Sequence, residues 1–158
     1  MKQRIYIETT IPSFYFEVRK DVESAAMRKW TQEWFDNHSL HYNLMTSFAV
    51  LDELEQGDFP NKEKSINMIK SMNFVEINDE IANIVETYIE KKLMPNSPLG
   101  DPLHLALASY NRCNFLLTWN CKHLANANKF DHIRYVNNSL GLFVPSLVTP
   151  LELLGAMT

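Results

Sequence analysis

The chain predicts an α/β fold of three layers, with a central, mostly parallel five-stranded sheet between helices. Three observations carry this reading. Short apolar runs such as Ile5-Tyr6-Ile7 and Phe115-Leu116-Leu117 look like strands buried on both faces. Longer segments between them place apolar residues every three or four positions, the period of a helix. Strand and helix alternate along the whole length, which implies crossover connections and a parallel sheet. With 158 residues, 46% of them hydrophobic, the chain can bury the core of one domain spanning 1–158.

Taken in order, residues 4–8 form the first strand. Ile11-Pro12-Ser13 opens a helical stretch, since Pro fits the first turn, where its missing N–H has no partner to lose. Residues 22–36 read as a helix with Val22, Ala25, Ala26, Met27, Trp30, Trp34 and Phe35 as its apolar stripe. Residues 42–46 form the second strand, and Ser47 can cap the helix that carries Glu53. A helix over 60–71 precedes a third strand, Phe74-Val75-Glu76-Ile77. Residues 79–93 are helical, with Ile81, Ile84, Val85, Tyr88 and Ile89 on one face. Met94-Pro95-Asn96-Ser97-Pro98-Leu99-Gly100 breaks the pattern before a helix that opens at Asp101. The fourth strand covers 115–118, helical pieces cover 121–126 and 129–140, a fifth strand lies near 143–148, and a turn begins at Pro150.

Composition narrows the function classes. A formal net charge of −4 argues against a broad basic face for nucleic acid, so any such binding is local. Cys113 and Cys121 fit no metal or redox spacing and read as reduced thiols. Met1-Lys2-Gln3-Arg4 runs directly into a strand, so neither a signal peptide nor a membrane span is expected, and the expected location is cytoplasmic. The 4 glycines are scattered, which excludes a phosphate-cradling loop. Glu8-Thr9-Thr10 is not the Asp-x-Asp of a phosphatase.

Four oxygen-bearing side chains stand where strands give way to helices: Glu8, Glu53, Asp101 and Asn120. Gathered at one edge of a parallel sheet, such a set can hold Mg²⁺ or Mn²⁺, one ion or two, and hydrolyse phosphodiesters. Each also has a plainer reading. Asp101 before Pro102 makes an ordinary acidic helix start, Glu53 beside Asp52 can sit in solvent, and Asn120 can simply end a strand. Glu8 resists this, because a carboxylate directly after an apolar strand is costly to bury without a purpose. Thr9, Thr10 and Thr118 could offer hydroxyls, though β-branched residues are common at strand ends. His104 shares a helix face with Asp101 and reads as structural among its apolar neighbours. His38 and His41 have ligand-like spacing but no companion acid or Cys.

The motifs, taken together, resemble the PIN-domain ribonucleases. Ile5-Tyr6-Ile7-Glu8-Thr9-Thr10 is similar to that family's opening strand, and Thr46-Ser47 through Val50-Leu51-Asp52-Glu53-Leu54 to its second motif. Asp101-Pro102-Leu103-His104-Leu105-Ala106-Leu107-Ala108 and Leu117-Thr118-Trp119-Asn120 look like the third and fourth, and Val148-Thr149-Pro150-Leu151-Glu152-Leu153-Leu154 like its ending. The likeness runs over residues 3–154 and is greatest to the VapC-type toxins of toxin–antitoxin pairs. It implies a metal-dependent endoribonuclease with Glu8, Glu53, Asp101 and Asn120 as catalytic and metal-holding residues. It further implies an RNA substrate, a cognate antitoxin protein and a homodimer, with the early helices often forming the partner surface in that family; Trp30 and Trp34, four apart on one of them, read as packing residues. Two positions depart from the pattern: Glu8 and Asn120 stand where the family usually has Asp. The alternative they open is a catalytically weakened RNA- or protein-binding module of the same fold.

Overall fold

The structure is a computed structural model describing residues 1–94 and 100–155. Among these residues five parallel strands form one sheet: β1 (Gln3–Ile7), β2 (Tyr42–Ser47), β3 (Asn73–Val75), β4 (Phe115–Leu117) and β5 (Ser146–Val148). Their order is β3-β2-β1-β4-β5. The helices are α1 (Thr10–Tyr15), α2 (Val22–His38), α3 (Phe48–Gln56), α4 (Lys62–Lys70), α5 (Asp79–Glu90), α6 (Asp101–Tyr110), α7 (Phe130–Ser139) and α8 (Pro150–Gly155). Helix α1 packs on α2 and α4, α4 on α3, and α8 on α2, while α5 and α6 pack together. The chain turns back across the sheet after β3, and right-handed crossovers then place α5 and α6 on the opposite face. The result is a three-layer α/β/α arrangement. No described helix is long and apolar enough to cross a membrane.

Local chemistry sets the boundaries. Ser47 caps α3 by accepting from the Ala49 N–H at 3.2 Å, Asn78 caps α5 through Ile81 at 3.0 Å, and Asp21 caps α2 through Ser24 at 3.0 Å. The central strand β1 carries Ile5, Tyr6 and Ile7, all fully buried. Ile5 lies opposite Leu44 on one side and Phe115 on the other. Trp34 is also fully buried, so it belongs to the core. Trp30 instead stacks on Trp119, with ring centroids 6.2 Å apart.

Several expected elements are altered. The strand expected over 74–77 stops at Val75, because its partner β2 ends at Ser47, directly opposite. The strand expected from 143 begins only at Ser146, where β4 first offers a partner in Phe115. Residues 121–126 make turns, not a helix. Asn120 holds the N–H groups of Leu124 and Ala125 on its carbonyl, and the Asn126 side chain takes the Lys122 carbonyl and starts the next turn. The asparagines at either end therefore close the segment after a single turn. Helix α5 ends at Glu90, and Lys92 adopts a left-handed φ of 55° just beyond it. Most of the break expected at 94–100 falls outside the described residues.

A buried polar cluster ties α5, α6 and α7 together. The Tyr88 hydroxyl donates to Asn137 Oδ1 at 2.5 Å, and Asn137 Nδ2 donates to Ser109 Oγ at 2.9 Å and to the Phe143 carbonyl at 3.1 Å. Removing one member strands the others without water. Asn137→Ala is expected to cost about 1–3 kcal/mol in chemical denaturation. A loss under about 0.5 kcal/mol, the size of a surface change, would contradict this account.

Candidate active site

The neighbours β1 and β4 send their connections in opposite directions, β1 toward β2 and β4 toward β5. In open parallel sheets that divergence leaves a crevice at the carboxyl ends of the strands. Glu8 follows the last residue of β1 and is only 4% exposed. Its N–H continues the ladder to the Leu117 carbonyl at 3.2 Å, which fastens the glutamate to the end of β4.

Three donors meet on Glu8 Oε1: the Thr10 N–H at 3.1 Å, the Thr10 hydroxyl at 2.5 Å and the Thr118 hydroxyl at 2.7 Å. Both hydroxyls are themselves oriented. Thr10 Oγ1 accepts from the Trp119 N–H at 2.8 Å, and Thr118 Oγ1 from the Asn120 N–H at 2.9 Å. The threonines thus pass two backbone dipoles of the β4 exit onto one carboxylate oxygen. Burial pushes the Glu8 carboxyl up; the charge of His104 and the threonine bonds oppose it, and the net direction remains upward. Glu8 is a strained acid that its surroundings only partly compensate.

Glu53 lies on α3, with 38% of its side chain exposed. Its Oε1 accepts from the Thr9 hydroxyl at 2.6 Å and from His104 Nε2 at 2.6 Å. A carboxylate only accepts, so the imidazole carries its proton on Nε2. His104 Nδ1 lies 2.8 Å from the Tyr6 hydroxyl, which lies 2.8 Å from Ser47 Oγ. The Ser47 that caps α3 therefore also anchors a line of polar groups leading to Glu53. Burial pushes His104 down, but the bond to Glu53 and the charges of Glu53, Glu8 and Asp101 outweigh it, and its pKa is raised. Glu53 moves the other way: burial raises it, His104 and Thr9 lower it, and the net direction is downward. The pair is a buried imidazole against a half-exposed carboxylate, each shifting the other toward its charged form.

Asp101 does not cap its helix, because Gly100 holds that position and no side chain caps it. Asp101 Oδ2 instead accepts from Asn120 Nδ2 at 2.9 Å. Asn120 Oδ1 accepts from the N–H groups of Lys122 at 3.3 Å and His123 at 3.0 Å. Those backbone donors fix which way the amide faces, and they use both lone pairs of its oxygen. Asn120 here orients Asp101 and the turn after it.

All four residues singled out in the sequence therefore belong to one network at one sheet edge. Asp101 joins Asn120, whose N–H reaches Thr118, whose hydroxyl reaches Glu8; Thr9, next to Glu8, reaches Glu53. Among the described residues every bond to the three carboxylates ends on a single oxygen of each: Glu8 Oε1, Glu53 Oε1 and Asp101 Oδ2. The second oxygens are left for other partners. Carboxylate oxygens are the ligand type that Mg²⁺ or Mn²⁺ takes. Among the described residues, however, no group of three or more His, Cys, Asp or Glu side chains is placed to hold a metal ion, and this includes His38 and His41, whose rings lie 6.0 Å apart.

Several contributors escape a sequence reading. Thr9, Thr10 and Thr118 look like ordinary strand-end residues, and His104 like a core histidine. The signal that could have found His104 is its place one turn after Asp101 on a helix buried from Pro102 to Ser109. A polar side chain in such a helix must have a partner. Tyr6 gives no sequence signal, because an aromatic in a buried strand is commonplace. No protein-family model matches the chain, and no curated protein matches it.

The raised Glu8 pKa has a signed consequence. A carboxyl held above its unfolded value favours the unfolded chain as pH rises through the glutamate range. Glu8→Gln keeps an oxygen for the three donors and removes the charge. It is expected to raise the melting temperature at pH 7 in chelator-treated protein, with the gain fading as pH falls below the ordinary glutamate pKa of about 4.3. A lower melting temperature at pH 7 would contradict the assignment.

Proposed function

We propose that the protein is a metal-dependent endoribonuclease of the PIN-domain type, the toxin half of a type II toxin–antitoxin pair. The observation that carries this reading is Glu8: a buried acid with raised pKa, placed at the crevice beside Glu53 and Asp101. A fold seldom holds such a group unless the site needs it. The PIN resemblance of the motifs supplies the substrate class, and with it the expectations of a cognate antitoxin, a homodimer and a cytoplasmic location.

In this proposal Glu8, Glu53 and Asp101 are the residues that would hold Mg²⁺ or Mn²⁺. The ion would supply a Lewis acid to activate water and offset charge on the leaving oxygen. The residues of the chain do the positioning. Thr10 and Thr118 fix Glu8 and oppose the upward push of burial on its carboxyl. His104 and Thr9 fix Glu53. Asn120 aims Asp101. With Asn in place of the family's usual acid, Asp101 gains a donor where it would otherwise face a second negative charge.

One observation favours a second reading, a binding module of the same fold with weakened catalysis. Asn120 Oδ1 is fully engaged by backbone N–H groups, so it adds neither charge nor a free oxygen to the site. This reading expects RNA or protein binding without turnover.

Purified protein incubated with RNA and Mg²⁺ or Mn²⁺ separates the two. The ribonuclease reading expects cleavage that chelator abolishes and that falls about 100-fold or more in Glu53→Gln and in Asp101→Asn. Equal cleavage by the three proteins means a contaminant and ends the ribonuclease reading.

A further inference from the structure

A cavity of about 340 Å³ opens beside Glu53. One face of α3 forms a wall through Ala49, Asp52, Glu53 and Gln56, at helical spacing. Ile77, from the segment after β3, and Leu103, from α6, supply an apolar floor. Ile77 is a large aliphatic side chain left 47% exposed, whereas Leu103 is 7% exposed. Asp52 and Gln56 are exposed at the rim, and among the described residues neither side chain has a hydrogen-bond or ion-pair partner. Apart from Glu53, none of these lining side chains takes part in the network that holds Glu8, Glu53 and Asp101.

We propose that this cavity is a nucleobase pocket that selects guanine beside the cleaved phosphate. The proposal rests on the ribonuclease reading for its placement and deepens it with a substrate preference. The chemistry of the walls makes the choice. The Asp52 carboxylate at the rim, which is outside the proposed metal-holding set, repels phosphate, so the occupant is a base and not the backbone. The aliphatic floor accepts the flat face of a ring, which single-stranded RNA can present once unstacked. Asp52 can only accept hydrogen bonds. Guanine alone among the four bases sets two donors side by side on its pairing edge, N1–H and N2–H, which match the two oxygens of a carboxylate. Its O6 then faces the amide donors of Gln56. Adenine would set a ring acceptor, N1, against the carboxylate, while cytosine and uracil offer it one donor each. Glu53 belongs both to the cavity wall and to the proposed catalytic set, so a base seated here lies next to the reacting phosphate.

The test titrates wild type, Asp52→Ala and Ile77→Asp with each of the four nucleoside 5′-monophosphates, read by calorimetry or by NMR shifts. Both substitutions are at exposed positions outside the carboxylate network. Wild type is expected to bind GMP about tenfold more tightly than the other three, and each variant is expected to lose that preference. Binding of the four within twofold of one another, or a guanine preference that survives both substitutions, overturns the pocket. Mapping RNA cut sites with Mn²⁺ separates this from the ribonuclease reading. Cuts indifferent to guanine overturn the pocket and leave the nuclease standing. A guanine preference lost in both variants, with no metal-dependent cutting, supports the pocket and contradicts the nuclease alone.

Discussion

The structure depends on one unfavourable placement: a carboxylate at the end of the central strand, almost wholly out of water. Glu8 follows three fully buried residues of β1, is itself only 4% exposed, and is tied by its N–H to the Leu117 carbonyl. The fold answers with donors. Thr10 and Thr118 supply three hydrogen bonds, and each hydroxyl is fixed by a backbone N–H at the exit of β4. Hydrogen bonds to an ionised group are worth roughly twice neutral ones, yet the pKa of Glu8 still stays above its ordinary value. The compensation is incomplete.

The other acids are held by different means. Glu53 has a buried histidine as hydrogen-bond partner, and that histidine is anchored through Tyr6 to the Ser47 cap of α3. Asp101 has a neutral amide instead of a fourth acid. A like charge at 2.9 Å would force one of the pair to take up a proton, whereas the amide donates. An amide at this position lowers repulsion in the site and leaves less charge to attract a cation. The amide at Asn120 is what separates the ribonuclease reading from the binding-module reading in physical terms.

Much of the fold could be read from the sequence, because apolar period and capping residues act locally. Ser47 caps α3, and Asp101 opens α6, as the spacing suggests. The misjudged boundaries all depend on partners distant in the chain. Val75 ends β3 because Ser47 ends β2, and Ser146 begins β5 because Phe115 begins β4. The turn over 121–126 escaped because its helix-like composition was overruled by Asn120 and Asn126. In the site the acids were visible as exceptions to an apolar pattern. Their supports were not: Thr118 and Glu8 are 110 residues apart, and His104 and Tyr6 are 98. No local pattern carries such pairings.

Thermal melting of chelator-treated protein during titration with Mn²⁺ or Mg²⁺ tests the central claim most directly, since an ion bound only by the folded chain stabilises it by mass action. The account predicts a rise of about 5–10 °C at a hundredfold excess over Kd, with little or no rise in a Glu8→Gln, Glu53→Gln double variant. A flat titration for the wild type, or an equal rise in both proteins, would mean that these carboxylates do not share a cation.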